Sequence, residues 1–172
     1  MFKEKALKDD KLKLFLTKIK KGVYAIDTEK YMNEVKTIHA TRMIHTLSKQ
    51  DIFGSQKAIV DCILENQAKR SRLVTIKSEC IRKQNVLQEK IEVYSKYLKA
   101  QFASQLRLEF STQQARNDAV ESLFADAKSN TNSIETLIKV IDLIIVDIDQ
   151  AAWAMKSLVE ILKINANKFN EA

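Results

Sequence analysis

Apolar residues fall into columns along this chain, and the cleanest run through its last third. Ile134, Ile141, Ile148, Met155 and Leu162 recur every seven residues, flanked by Leu137, Ile144, Ala151 and Leu158 and by Ile138, Ile145, Ala152 and Val159. Glu135, Asp142, Asp149, Lys156 and Lys163 hold the opposite face at the same spacing. Three adjacent apolar columns backed by a polar one predict a helix packed along its whole length, with acids early and lysines late to complement the helix dipole. The stretch Ser129 to Ser133, SNTNS, reads as a loop in which Asn132 caps the helix and Glu135 completes a capping box, giving a helix over 133–166. So wide a stripe suits the centre of an antiparallel bundle or an oligomer seam. Ile141, Ile148 and Met155 are therefore candidate partner-interface positions. Trp153, beside the columns, joins them as a core or partner-contacting indole.

Upstream the period is less regular. Residues 1–9 carry no sustained pattern and are expected to fray. From 11 to 22 the sequence KLKLFLTKIKKG sets Leu12, Phe15, Leu16 and Ile19 in a narrow stripe flanked by Lys11, Lys13, Lys18, Lys20 and Lys21, a short basic amphipathic helix that Gly22 stops. Two roles fit it: a helix docked by its stripe with the lysines solvated, or a surface-seeking helix for a membrane or polyanion. A second helix over 28–50 follows from Tyr31, Met32, Val35, Ile38, Met43, Ile44 and Leu47, capped by Asp27 or Thr28. Residues 51–55 then read as a turn at Gly54. The run 56–128 has no strong breaker and is expected to form the long arm of a helical hairpin, with polar lapses at Asn66 to Arg72 and at Glu109 to Asn117, where it can kink.

Composition turns this pattern into a fold class. The 172 residues contain no proline and only two glycines, Gly22 and Gly54, so little interrupts a helix. The expectation is an all-α protein: a single domain forming an elongated helical bundle or hairpin with coiled-coil character, about four helices and one of them very long. At 45% hydrophobic and 30% charged the chain can bury a core, and Leu137 to Ile148 is interrupted by Lys139, Asp142 and Asp147, as suits a buried helix and not a membrane span. The first residues lack the apolar run and cleavage site of a secretory signal, so an intracellular, cytoplasmic protein is the default. Cys62 and Cys80 sit about 27 Å apart if on one straight helix and are expected to be buried thiols, an intermolecular disulfide being the alternative.

The chemistry of catalysis is sparse. There is no glycine-rich phosphate loop, and Cys62, Cys80, His39 and His45 lack paired metal-ligand spacing. Asp142, Asp147 and Asp149 do not share one face. No catalytic residue, metal, cofactor or small-molecule substrate is expected. Charge points elsewhere: the net charge is +7, and residues 1–100 hold 22 Lys and Arg against 12 Asp and Glu. Lys69, Arg70, Arg72, Lys77, Arg82 and Lys83 cluster at the first polar lapse, either as a solvated face or as a phosphate-tracking set. Without aromatic stacking platforms beside it, nucleic-acid binding there is expected to be non-specific.

These features favour a non-enzymatic assembly or adaptor protein that oligomerises through its helices and presents a basic face to a polyanion, nucleic acid first. In size, charge and helical content the chain resembles the small helical recombination mediators of tailed phages. Its basic hairpin is also similar in architecture to the core of ESCRT-III subunits, which implies membrane remodelling on an anionic surface, although the final heptad helix departs from that pattern. A structural subunit of a heteromeric complex is the third expectation.

Overall fold

The computed structural model describes the backbone of residues 1–42 and 54–170 and the side chains of 1–42 and 57–164. The protein is all-α. Among the described residues there is no strand, and the helices are α1 (Phe2–Lys8), α2 (Asp10–Lys20), α3 (Thr28–Ala40), α4 (Gly54–Gln101), α5 (Ala103–Glu109), α6 (Gln113–Glu121) and α7 (Ala125–Asn170), with a 3₁₀ turn at Ser122–Phe124. Met43, Ile44, His45, Leu47 and the expected turn residues 51–53 lie outside the described residues. Two compact units divide the chain: Met1–Thr28 with Glu79–Thr136, and Glu29–Ser78 with Leu137–Ala172.

The first unit is held by rings. Phe15 of α2 stacks on Tyr94 at 4.3 Å between centroids and 12° between planes, and meets Tyr24 and Phe124 at 5.8 and 6.1 Å. Leu12, Ile19, Leu87, Leu98, Leu106, Val120 and Leu123 complete that core. The expected fraying of residues 1–9 is not found. Phe2 and Ala6 are buried, Phe2 packs edge-on against Phe102, and Glu109 accepts both close contacts of the Phe2 N–H, at 2.6 and 2.8 Å. An anchor supplied from 107 residues away leaves no trace in local periodicity.

The long arm ends earlier than expected, at Gln101, where Phe102 leaves helical geometry as the half-buried partner of Phe2. The polar lapse near 109–117 does carry a break. Phe110 is extended, Thr112 caps α6 by accepting from the Ala115 N–H, and Arg116 donates to the carbonyls of Phe110 and Ser111. The SNTNS segment, by contrast, is no loop: it lies inside α7. Asn132, the expected cap, is interior to the helix, and Thr131, Ser133 and Thr136 donate their hydroxyls to carbonyls four residues back, so these polar side chains are accommodated without a break.

The second unit is built on sevens. In α7 the column Ile141, Ile148, Met155 and Leu162 is buried, Ile144 with it, while the third column, Ile145, Ala152 and Val159, is half-buried. In α4 the buried positions Ile59, Asn66 and Leu73 also recur at sevens, as do Cys62, Lys69 and Ile76, the Lys69 side chain being only 16% exposed. Coiled-coil layers are the result. Lys77 pairs with Asp142 at 2.5 Å and Arg70 with Asp149 at 2.7 Å: seven residues back along α4 match seven forward along α7, which makes the two segments antiparallel. The third member, α3, buries Val35 and stops at Ala40, short of the expected residue 50. There Thr37 and Thr41 return their hydroxyls to carbonyls of the preceding turn, and Arg42 donates to the His39 carbonyl.

Candidate polyanion-binding surface

Helix α2 carries the densest basic face. Asp9 caps it by accepting from the Leu12 N–H at 2.9 Å and also accepts the Tyr97 hydroxyl at 2.8 Å. Burial alone would raise the Asp9 carboxyl, but the Leu12 N–H, the Tyr97 hydroxyl and Lys11 outweigh it and hold its pKa below the ordinary value. The same Asp9 contact pushes the Tyr97 hydroxyl up. At the far end Gly22 adopts φ 71°, its N–H donating to the Ile19 carbonyl and the Val23 N–H to that of Lys18. That pairing is a Schellman stop, and glycine is the residue that adopts its left-handed turn without strain.

Between these caps the stripe faces inward, with Leu16 half-buried. Leu12, Phe15 and Ile19 are 0%, 1% and 6% exposed inside the first unit. Lys13, Lys18, Lys20 and Lys21 stand exposed, with no acid partner among the described residues. Lys11 lies 5.1 Å from the centroid of the Tyr97 ring, a cation–π contact. One residue of the other basic cluster joins this end of the helix: Lys83 Nζ is 3.5 Å from the Val23 carbonyl oxygen, just past the Gly22 stop.

The rest of that cluster is largely engaged within the protein. Lys69 is nearly enclosed, donates to the Thr41 carbonyl and pairs with Glu65 at 2.8 Å. Arg70 grips Asp149 through Nε and Nη2 at 2.7 and 3.1 Å, which raises the guanidinium pKa further. Arg72 makes the same two-pronged contact with Glu34 of α3 at 2.6 and 3.1 Å, a bond that holds the Glu34 carboxyl below its usual value. Lys77 is bound to Asp142. Of the six, Arg82 is exposed without a side-chain partner among the described residues. A run of cations that reads as one phosphate-tracking stripe is thus mainly a set of bonds between helices.

The interface candidates divide as well. Ile141, Ile148 and Met155 are 0%, 1% and 3% exposed, so they serve the protein's own core and are not open to a partner. Trp153 is 73% exposed. Leu143 at 72% and Val146 at 52% share its helix and are also outward, and sequence reasoning missed both because they lie outside the three regular columns. Their signal was present as apolar residues at positions 143, 146 and 153 on the side away from the buried columns.

Asp142, Asp147 and Asp149 of α7 each take a cation. Asp142 and Asp149 have those described, and Asp147 sits 2.7 Å from Arg42 Nε and 3.3 Å from His39 Nε2. Among the described residues no three His, Cys, Asp or Glu side chains converge as a metal site, and no helix is long and apolar enough to cross a membrane. Cys62 and Cys80 are buried free thiols, and burial pushes the Cys80 thiol up, away from the reactive thiolate. No protein-family profile, curated protein or solved structure matches the chain.

Proposed function

We propose that this chain is a non-enzymatic helical assembly protein that binds a polyanion, nucleic acid first, through the lysine face of α2. One observation carries the reading: α2 buries Leu12, Phe15 and Ile19 and half-buries Leu16 in its own unit, while Lys13, Lys18, Lys20 and Lys21 remain exposed and unmatched by acids among the described residues. An interfacial helix needs its apolar face for the acyl boundary. Here most of that face is already occupied and Leu14 is the one strongly exposed apolar side chain of α2, so the membrane-scaffold reading has less to stand on, and an electrostatic contact with a phosphate backbone is the better match.

The test is the variant Lys18→Glu, Lys20→Glu, Lys21→Glu, with binding to a labelled oligonucleotide followed by anisotropy over a salt series. Affinity is expected to fall at least about tenfold at low salt, and the slope of log affinity against log salt to shrink by about 2 for a single strand. Unchanged affinity and slope would reject the reading. Binding of the full chain to anionic vesicles, undiminished by the same substitutions, would favour the membrane alternative.

A further inference from the structure

The second unit holds a hollow of about 470 Å³, lined by Gln67, Arg70 and Ser71 of α4 and by Asp149, Trp153 and Lys156 of α7. Its size is in the range of small-ligand sites. Trp153 borders a second, shallow hollow with Val146, Gln150 and Ala154, so the indole stands between two open spaces with 73% of its surface exposed. Arg70 is fixed by the two hydrogen bonds that its Nε and Nη2 donate to Asp149, which neutralise that carboxylate and leave Nη1 uncommitted among the described residues. Lys156 is exposed and without an acid partner among the described residues. Gln67 adds an amide able both to donate and to accept.

We propose that this hollow is a stacking site for an unpaired nucleobase, with the adjoining phosphate held by Lys156 and the free edge of Arg70, so that the polyanion bound is a single strand. The inference rests on the polyanion reading and narrows it. A flat, exposed ring beside two cations offers what one nucleotide presents, a π face and a phosphate. Along a duplex the bases are already stacked on one another and paired.

Trp153 is the single tryptophan of the chain, so its emission reports on this site alone. Full-length protein titrated with a short oligothymidylate is expected to lose tryptophan fluorescence as the base stacks, whereas a duplex of equal length leaves it unchanged. Lys156→Glu should move the midpoint of that quench by about tenfold. Trp153→Ala should lower affinity for the labelled single strand about tenfold, and Trp153→Phe should restore most of it. Circular dichroism on each variant confirms that helicity is intact. Single-strand binding that leaves Trp153 emission unaltered and survives Trp153→Ala would overturn the stacking site, while the α2 reading would stand or fall separately on its own triple variant. Emission that shifts to the blue with protein concentration in the absence of oligonucleotide would also overturn it, showing that a second copy covers the indole.

Discussion

The two units solve the same problem with different materials. In the first, short helices surround stacked rings, centred on Phe15, Tyr94 and Phe124, and the neighbouring lysines of α2 stand apart from acids. In the second, three helices meet in aliphatic layers at sevens, and arginines and lysines cross between them to Glu34, Asp142 and Asp149. Large rings bring both contact area and a directional packing geometry, which can fix short helices without charged pairs. Regular aliphatic layers are interchangeable along the axis, so polar contacts must supply position. The α4 cations of the second unit thus serve architecture, whereas the α2 lysines of the first are left open to solution.

That contrast can be broken by core truncation. Phe15→Ala should cost about 3–5 kcal/mol and Leu73→Ala about 2–5 kcal/mol in chemical denaturation. By hydrogen exchange, Phe15→Ala should expose amides of 1–28 and 79–101 first, and Leu73→Ala those of 57–78. Equal loss in both regions from either change would show that the units open as one. Asp9→Ala should cost about 1 kcal/mol through loss of the α2 cap, read as a lower midpoint in urea.

Acid titration sharpens the contrast further. Asp9 and Glu34 both have folded pKa values below their ordinary ones of 3.8 and 4.5, so each stabilises the protein above those values and loses that contribution as pH falls through the lower folded value. Asp9 is opposed by burial and held down chiefly by a backbone N–H and a hydroxyl, Glu34 chiefly by Arg72. Raising salt should therefore weaken the acid dependence removed by Glu34→Gln more than that removed by Asp9→Asn. The smallest effect is the Arg70–Asp149 pair. A double-mutant cycle with alanine should give only a weak coupling that fades as salt is raised, as exposed pairs do. The α2 triple lysine variant should change stability by less than about 0.5 kcal/mol while altering binding.

How much of this was legible depends on range. The columns of α7 could be read because each member repeats within one helix, and the buried column is one the spacing names. Gly22 could be read because its stop is local. The heptads of α4 were masked because Asn66 and Lys69 occupy core-register positions, and a stripe interrupted by an amide and an ammonium reads as a lapse. Asn66 is 0% exposed all the same. The partners of Lys77 and Arg70 lie 65 and 79 residues along the chain, as Glu109 lies 107 from Phe2, and no pattern within a window holds that information. The surface fared similarly: the lysines of α2 proved open, but Arg70 and Arg72 of the α4 cluster proved bound to distant acids.

The repeating layers of the second unit have a mechanical consequence. Two rods ruled at the same interval can slide by one interval and still mesh, and a slip of seven would even set Arg70 opposite Asp142 in place of Asp149. Alone, α4 and α7 are therefore poorly phased. The shortest member removes the ambiguity: α3 grips α4 where Glu34 meets Arg72, and residues 39 and 42 at its far end grip α7 at Asp147. Acting as a detent, it lets the rods click into one position only.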